Sequence, residues 1–215
     1  MFNDNELQHA VQDELSWEPS VSAAHIGVTA KAGVVTLSGH VRNFASKYAA
    51  ERATRRVKGV MAVAEEIEVH LPSDVKRSDD EIAAAAIERL AWNVSIPRDA
   101  VKVKVEKGRV TLTGDVHSFY QKEAAQQDVR LLFGVIGVSN QIAIKARPDA
   151  ITISDDIAQA LHRSWFDPKM IKVSAQGGKV RLTGTVHSPY ERRLAANTAW
   201  AAPGATSVEN DISVN

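Results

Sequence analysis

The sequence predicts an α+β protein made of three tandem αββαβ units, each with two helices packed on a three-stranded mixed sheet. Three observations predict it. The segments GVVTLSGHV (33–41), GRVTLTGDV (108–116) and GKVRLTGTV (178–186) align without a gap, and self-similarity at a fixed spacing marks a repeat architecture. Gly39, Gly114 and Gly184 are each followed, twenty residues on, by Gly59, Gly134 and Gly204, then by Val63, Val138 and Val208 and by Ile67, Ile142 and Ile212. Upstream, Ile26/Val28/Ala30, Val101/Val103/Val105 and Ile171/Val173/Ala175 alternate as half-buried strands do. The repeats are placed at 1–74, 75–149 and 150–215.

Each element follows from local chemistry. In the second copy, Ile82, Ala83, Ala86, Ile87 and Leu90 form an apolar stripe after the start signal Ser78–Asp79. Ile157, Ala160, Leu161 and Ser164 follow Ser154–Asp156 in the same way. Two strands then form a hairpin around Gly33, Gly108 and Gly178, which suit a turn position with positive φ. The second helix starts at Asn43, Ser118 and Ser188, all good caps. Ser118 with Gln121 and Ser188 with Glu191 have capping-box spacing, and Pro189 sits where a missing N–H costs little. Its stripe is Ala50/Thr54/Val57, Ala125/Val129/Leu132 and Ala195/Ala199/Ala202, small enough for close approach to a sheet. Gly59, Gly134 and Gly204 end that helix, and the last strand is expected parallel to the second.

Composition excludes several functions. The 215 residues are 44% apolar and 24% charged, with 26 Lys and Arg against 26 Asp and Glu. Zero net charge argues against nucleic acid, whose partners carry a basic footprint. Cysteine is absent, which removes disulfides, thiolate metal sites and cysteine nucleophiles. The N-terminus brings Asp4 and Glu6 early and has no apolar run, so no secretory signal is read and no transmembrane segment is expected. The chain is expected in the cytoplasm as written, or in the periplasm if a leader was removed before numbering began.

No constellation of catalytic type appears. His117 and His187 share a place before the second helix but lack further ligands in metal-binding spacing. Asp79–Asp80–Glu81 and Asp155–Asp156 lie at helix starts, where they complement the dipole. No phosphate-loop pattern and no nucleophile elbow occur. We therefore expect no catalytic residue, no metal and no cofactor. The strongest feature is electrostatic. Lys47, Arg52, Arg55, Arg56 and Lys58 follow one another along the second helix of the first copy, with Arg52, Arg55 and Arg56 on one face by spacing. That copy is otherwise acidic, with seven Lys and Arg against ten Asp and Glu. Lys102, Lys104 and Lys107 lie along the first strand and turn of the second copy. These eight cations are the candidates for contact with an anionic surface. Trp17 and Trp92 recur in two copies and are expected to close the end of each small core, with interfacial anchoring as the other reading. Trp165 or Phe166 is expected to do the same in the third.

The pattern G-x-V-x-L-x-G-x-V, an alanine-bearing helix, then G-V-x-x-V-x-N-x-I resembles the BON domain, named for bacterial osmotically inducible and nodulation proteins. It stands here as Gly108, Val110, Leu112, Gly114, Val116, then Gly134, Val135, Val138, Asn140 and Ile142. The first copy departs from it, with Glu65 in the place of Asn140 and Asn210. The resemblance implies the αββαβ fold and a non-enzymatic binding role in osmotic stress, at the bacterial envelope and on phospholipid surfaces. Anionic phospholipid is thus the first expected partner. A protein-interaction or chaperone-like scaffold is the alternative.

Overall fold

A polar cap begins the first helix of the first and second copies. The computed structural model describes residues 3–145, 153–163 and 170–214. Helix α1 (Asp4–Trp17) starts at Asn3, whose side chain accepts from the Asn5 N–H while Glu6 accepts from the Asn3 N–H. Its buried face is Leu7, Val11 and Leu15, one residue per turn. Helix α3 (Asp79–Trp92) starts on Ser78, whose N–H and hydroxyl both donate to Glu81. Helix α5 (Ile153–Arg163) buries Ile153, Ile157 and Leu161.

Strands β1 (Ile26–Lys31) and β2 (Val34–Val41) pair antiparallel across the two-residue turn Ala32–Gly33. Both turn residues have positive φ, 49° and 80°, which matches the right-handed twist of the flanking strands. Lys107–Gly108 and Gly177–Gly178 repeat this geometry. The Asp4 carboxylate accepts from the Ala32 N–H at 2.8 Å, and Asp79 accepts from Lys107 and Gly108 at 2.7 and 2.8 Å. So the acidic start of the first helix hooks the hairpin turn in both copies.

Helix α2 (Phe44–Thr54) returns the chain so that β3 (Ala62–Val69) lies parallel to β2, with Val35 opposite Val63 and Gly39 opposite Ile67. The sheet order is β1-β2-β3. The second copy supplies β4 (Val101–Glu106), β5 (Arg109–Val116), α4 (Phe119–Val129), β6 (Gly137–Asn140) and β7 (Ala143–Ile144), in the order β4-β5-β6 with β7 also on β5. The third supplies β8 (Ile171–Gln176), β9 (Lys179–Val186), α6 (Pro189–Trp200) and β10 (Ser207–Val214), with β9 central and β10 parallel to it.

The chain divides into two compact units. One is Met1–Ala86, Lys104–Val110 and Asp128–Ser139; the other is Ile87–Val103, Thr111–Gln127 and Asn140–Asn215. The first holds a core of Leu7, Val11 and Leu15 against Val35, Leu37 and Ile67, with Ala50 and Ala53 of α2. The second holds Ile157 and Leu161 against Val180, Leu182 and Ile212, with Ala195 and Ala199 of α6. Those fully buried alanines let the second helix approach closely, as their size requires.

Gly39, Gly114 and Gly184 have φ of 107°, 124° and 136°, and an added Cβ would lie 2.1, 2.0 and 1.9 Å from the carbonyl oxygen of His25, Ala100 and Met170. The neighbouring strand leaves no room for any side chain there. Gly59, Gly134 and Gly204 also have positive φ, but α2, α4 and α6 end at Thr54, Val129 and Trp200, so the glycines shape the turn that follows rather than ending the helix as expected.

Three further expectations need correction. Trp17 and Trp92 do not close a core: they are 85% and 79% exposed at the last residue of α1 and α3. Leu15 and Leu90, two residues back and on the opposite face of the helix, already fill the core ends. Ile87 is exposed, because the buried row of α3 runs Ile82, Ala86, Leu90 and places Ile87 a quarter-turn away. The basic stripe is shorter than its spacing suggests, since α2 ends at Thr54 and leaves Arg55 and Arg56 beyond it. Trp165 and Phe166 lie outside the described residues. No helix among the described residues is long and apolar enough to cross a membrane.

Candidate anionic-surface site

The structure commits half of the eight candidate cations to acidic neighbours. Lys47 lies 2.7 Å from Glu65 and donates to the Ile67 carbonyl at 2.6 Å. Arg55 donates twice to Glu51, one turn back. Arg56 reaches Glu14 at 2.8 Å and Glu18 at 3.0 Å on and just beyond α1. Its hydrogen bond, with that of Ser20, holds the Glu18 carboxyl below the usual glutamate range, and the two acids raise Arg56 in turn. Lys104 pairs with Glu106 at 3.1 Å in full view of solvent, where such a pair is worth at most ~1 kcal/mol. Arg52, Lys58, Lys102 and Lys107 make no ion pair among the described residues, though the Lys107 backbone is tied to Asp79. Arg52, Arg55 and Arg56 therefore do not form one free basic face.

Lys47 has a structural task that the repeats explain. Asn140 donates to the Lys122 carbonyl and the Gln126 side chain, and accepts from the Ile142 N–H. Asn210 donates to the Arg192 carbonyl and accepts from Ile212. Each asparagine thus latches the last strand to the second helix. In the first copy Glu65 accepts from the Ile67 N–H at 2.8 Å. A carboxylate has no proton to donate onward, so Lys47 completes the latch from the helix side. Lys122 and Arg192 occupy the equivalent helix position.

The free arginines gather elsewhere. A cleft of about 320 Å³ in the first unit is lined by Tyr48 and Arg52 of α2, by Arg56 and Glu18, and by Arg130 and Leu131 from the turn after α4. The Arg130 guanidinium sits 4.4 Å from the Tyr48 ring centroid, a cation–π contact that fixes it without neutralising it. A second cleft of about 310 Å³ shares Ala45, Arg130 and Leu131 with the first and adds Arg42, Phe44, Pro72 and Phe133. Leu131 and Phe133 are 60% and 65% exposed. Arg42, Arg52 and Arg130 make no ion pair among the described residues. The joined clefts therefore offer three unpaired guanidinium groups beside an apolar lip. Guanidinium binds phosphate in a fork, and the lip suits hydrocarbon next to that phosphate.

Sequence reasoning singled out Arg52 but missed Arg42, Arg130, Leu131 and Phe133 as lining of these clefts. A signal existed: the segment at the end of the second helix reads RRVKG, RLLFG and WAAPG in the three copies, and only the second joins Arg to three large apolar residues. His117 and His187 are exposed and give only backbone N–H bonds to Gln121 and Glu191. Among the described residues, no three His, Asp or Glu side chains stand arranged to hold a metal ion.

Comparison with known proteins agrees with this architecture. The family model for the BON domain matches three times, at residues 3–70, 78–146 and 149–215. The chain is 29% identical over 143 residues to osmotically-inducible protein Y of Escherichia coli (strain K12), covering 62% of this chain and 71% of that protein. Among solved structures, CdsD, a structural protein of the type III secretion system of Chlamydia trachomatis, aligns over 98% of this chain and 92% of its own at 18% identity. A separate structure of the CdsD C-terminal domain aligns over 100% of both chains, again at 18% identity. The TM-score is 0.28 in each case, and at that value the superposition carries no structural argument.

Proposed function

Since the chain belongs to the BON-domain family, we propose that it is a non-catalytic bacterial binding protein of the osmotic-stress response, and that its ligand is the anionic phospholipid surface of a membrane. The observation that carries the reading is the pair of joined clefts, with Arg42, Arg52 and Arg130 unpaired beside exposed Leu131 and Phe133. An anionic headgroup meets the guanidinium fork while the start of its acyl chain meets the apolar lip. The name of the E. coli relative supports the stress setting. We also propose that the repeats 1–74, 75–149 and 150–215 are the domains of the chain, with residues of the first two lining the clefts together.

The test is co-sedimentation with phosphatidylglycerol and phosphatidylcholine vesicles across a salt series. A basic residue near an anionic surface contributes about 1 kcal/mol. Arg42→Glu with Arg130→Glu should therefore weaken binding to the anionic vesicle at least about thirtyfold, because it removes two attractions and adds two repulsions. Arg55→Glu, whose parent is already paired with Glu51, should change it far less. Equal binding to both vesicles, or equal losses from both variants, would refute the reading. A second reading, a scaffold for protein partners, is favoured by the exposed Trp17 and Trp92, because aromatic residues are enriched at interfaces.

A further inference from the structure

We propose that the repeats join through one docking surface, the start of a second helix against the end of the next, and that the outer repeats carry charged faces that refuse a second copy of this chain at that joint. The joint occurs twice. In the first unit, the Arg130 guanidinium lies over the Tyr48 ring of α2, and Phe44 and Phe133 line one cleft. In the second unit, Phe119, the first residue of α4, stacks on Trp200, the last of α6, with ring centroids 4.3 Å apart and planes at 23°. Phe44 and Phe119 hold the same repeat position, and so do Arg130 and Trp200. Each contact therefore sets the start of one second helix against the end of the following one, which is a head-to-tail mode.

Burial shows which halves of the joint are occupied. At the helix starts, Phe44 and Tyr48 of the first repeat and Phe119 and Glu123 of the second are half-buried. At the helix ends, Arg130 of the second repeat and Trp200 of the third are half-buried too. The remaining two halves stand open. Pro189 and Arg193 of the third repeat are exposed in the places of Phe44 and Tyr48, and Arg55 of the first is exposed in the place of Arg130 and Trp200. A head-to-tail contact between two copies of the chain would have to bring these two open faces together.

Their chemistry opposes it. By the register of Tyr48 with Arg130, Arg193 of one copy would face Arg55 of the next, guanidinium against guanidinium. By the register of Phe119 with Trp200, Pro189 would face that same Arg55, with no pair of rings to stack. Lys58 stands where Phe133 lines the cleft of the occupied joint. Arg55 already donates twice to Glu51, and drying a hydrated ion pair without giving it a new partner works against association. The fold does not require these charges, since it accepts Phe119 and Trp200 at the same two places. A row of repeats that carried the aromatic joint at both ends would keep adding copies, and polar outer faces are what end such a row.

The experiment is sedimentation velocity of the full chain over a concentration series, with two variants that borrow residues from the other repeats. One is Arg55→Trp, after Trp200. The other joins Pro189→Phe with Arg193→Glu, after Phe119 and Glu123. Each variant repairs one half of the joint and leaves the other half blocked. We expect the parent and each variant alone to sediment as single chains, with unchanged circular dichroism. An equimolar mixture of the two variants should form a complex of one chain each, with roughly twice the parent's mass. The proposal is overturned by a parent that associates with itself, by a mixture that stays at the mass of one chain, or by a single variant that associates as strongly alone as in the mixture. The parent's own mass can still refute the proposal if a variant misfolds.

Discussion

Replacing Gly184 by alanine should unfold the third repeat selectively. At φ 136° a side chain is strained whatever surrounds it, by ~1–3 kcal/mol. The new Cβ would also meet the Met170 carbonyl oxygen at 1.9 Å, so β8 and β9 must part there. The Thr185 N–H bond to that same carbonyl, 3.1 Å long, would be lost for about 1 kcal/mol more. The total is ~3 kcal/mol or above, against about 3–10 kcal/mol for a whole domain of this size. Gly177→Ala is the control. Its φ is also positive, at 57°, but nothing lies within 4 Å of its would-be Cβ, so only the backbone term of ~1–2 kcal/mol applies. Native-state hydrogen exchange read by mass spectrometry reports each repeat separately. Peptides from β8 to β10 should exchange about a hundredfold faster in Gly184→Ala, and several-fold faster in Gly177→Ala, with the first repeat unchanged in both. If the two variants lose the same protection, the steric argument is wrong and backbone conformation alone explains the glycine.

Two further outcomes follow from the ion pairs. Lys47→Met should leave Glu65 without its cation at a half-buried site and cost ~1–2 kcal/mol. Adding Glu65→Asn should recover part of that, since asparagine serves the other two latches; a double variant no better than the single, by urea titration monitored at β3, would count against the latch. Glu18 has its folded pKa depressed by Arg56, so its contribution is full above the ordinary glutamate value and disappears as pH falls through the lowered one. Arg56→Met should therefore flatten the acid limb of α1's stability profile, and an identical limb in parent and variant would show that the network does not act on folding.

The repeat architecture was legible because its determinants are local or periodic. A glycine with no room for a Cβ, an alternating strand and a capped helix each show in one stretch of chain. The pairing of Gly39 with Gly59 carried the β2–α2–β3 passage in the same way. The candidate site was legible only in part. Helical spacing placed Arg55 and Arg56 beside Arg52, but spacing cannot say that the helix stops at Thr54 or that Glu14 and Glu18 claim Arg56. Arg130 stands 78 positions from Arg52 in sequence, and only tertiary structure brings both to one cleft. Trp17 misled for a related reason. Recurrence in two copies suggests packing, yet a repeated exposed residue leaves the same trace.

The latches have a consequence for how three similar units fold on one chain. Tandem copies invite misassembly, in which a strand from one copy completes the sheet of another. Delivered to the second copy, β3 would set the Glu65 carboxylate against the Lys122 carbonyl and the Gln126 side-chain oxygen that Asn140 serves. Acceptor would face acceptor. Lys122 stands where Lys47 does and can turn to that carboxylate, but the two acceptors lose the N–H donor that Asn140 supplies. A substitution that looks like a lapse from the repeat pattern thus biases each sheet toward its own strand.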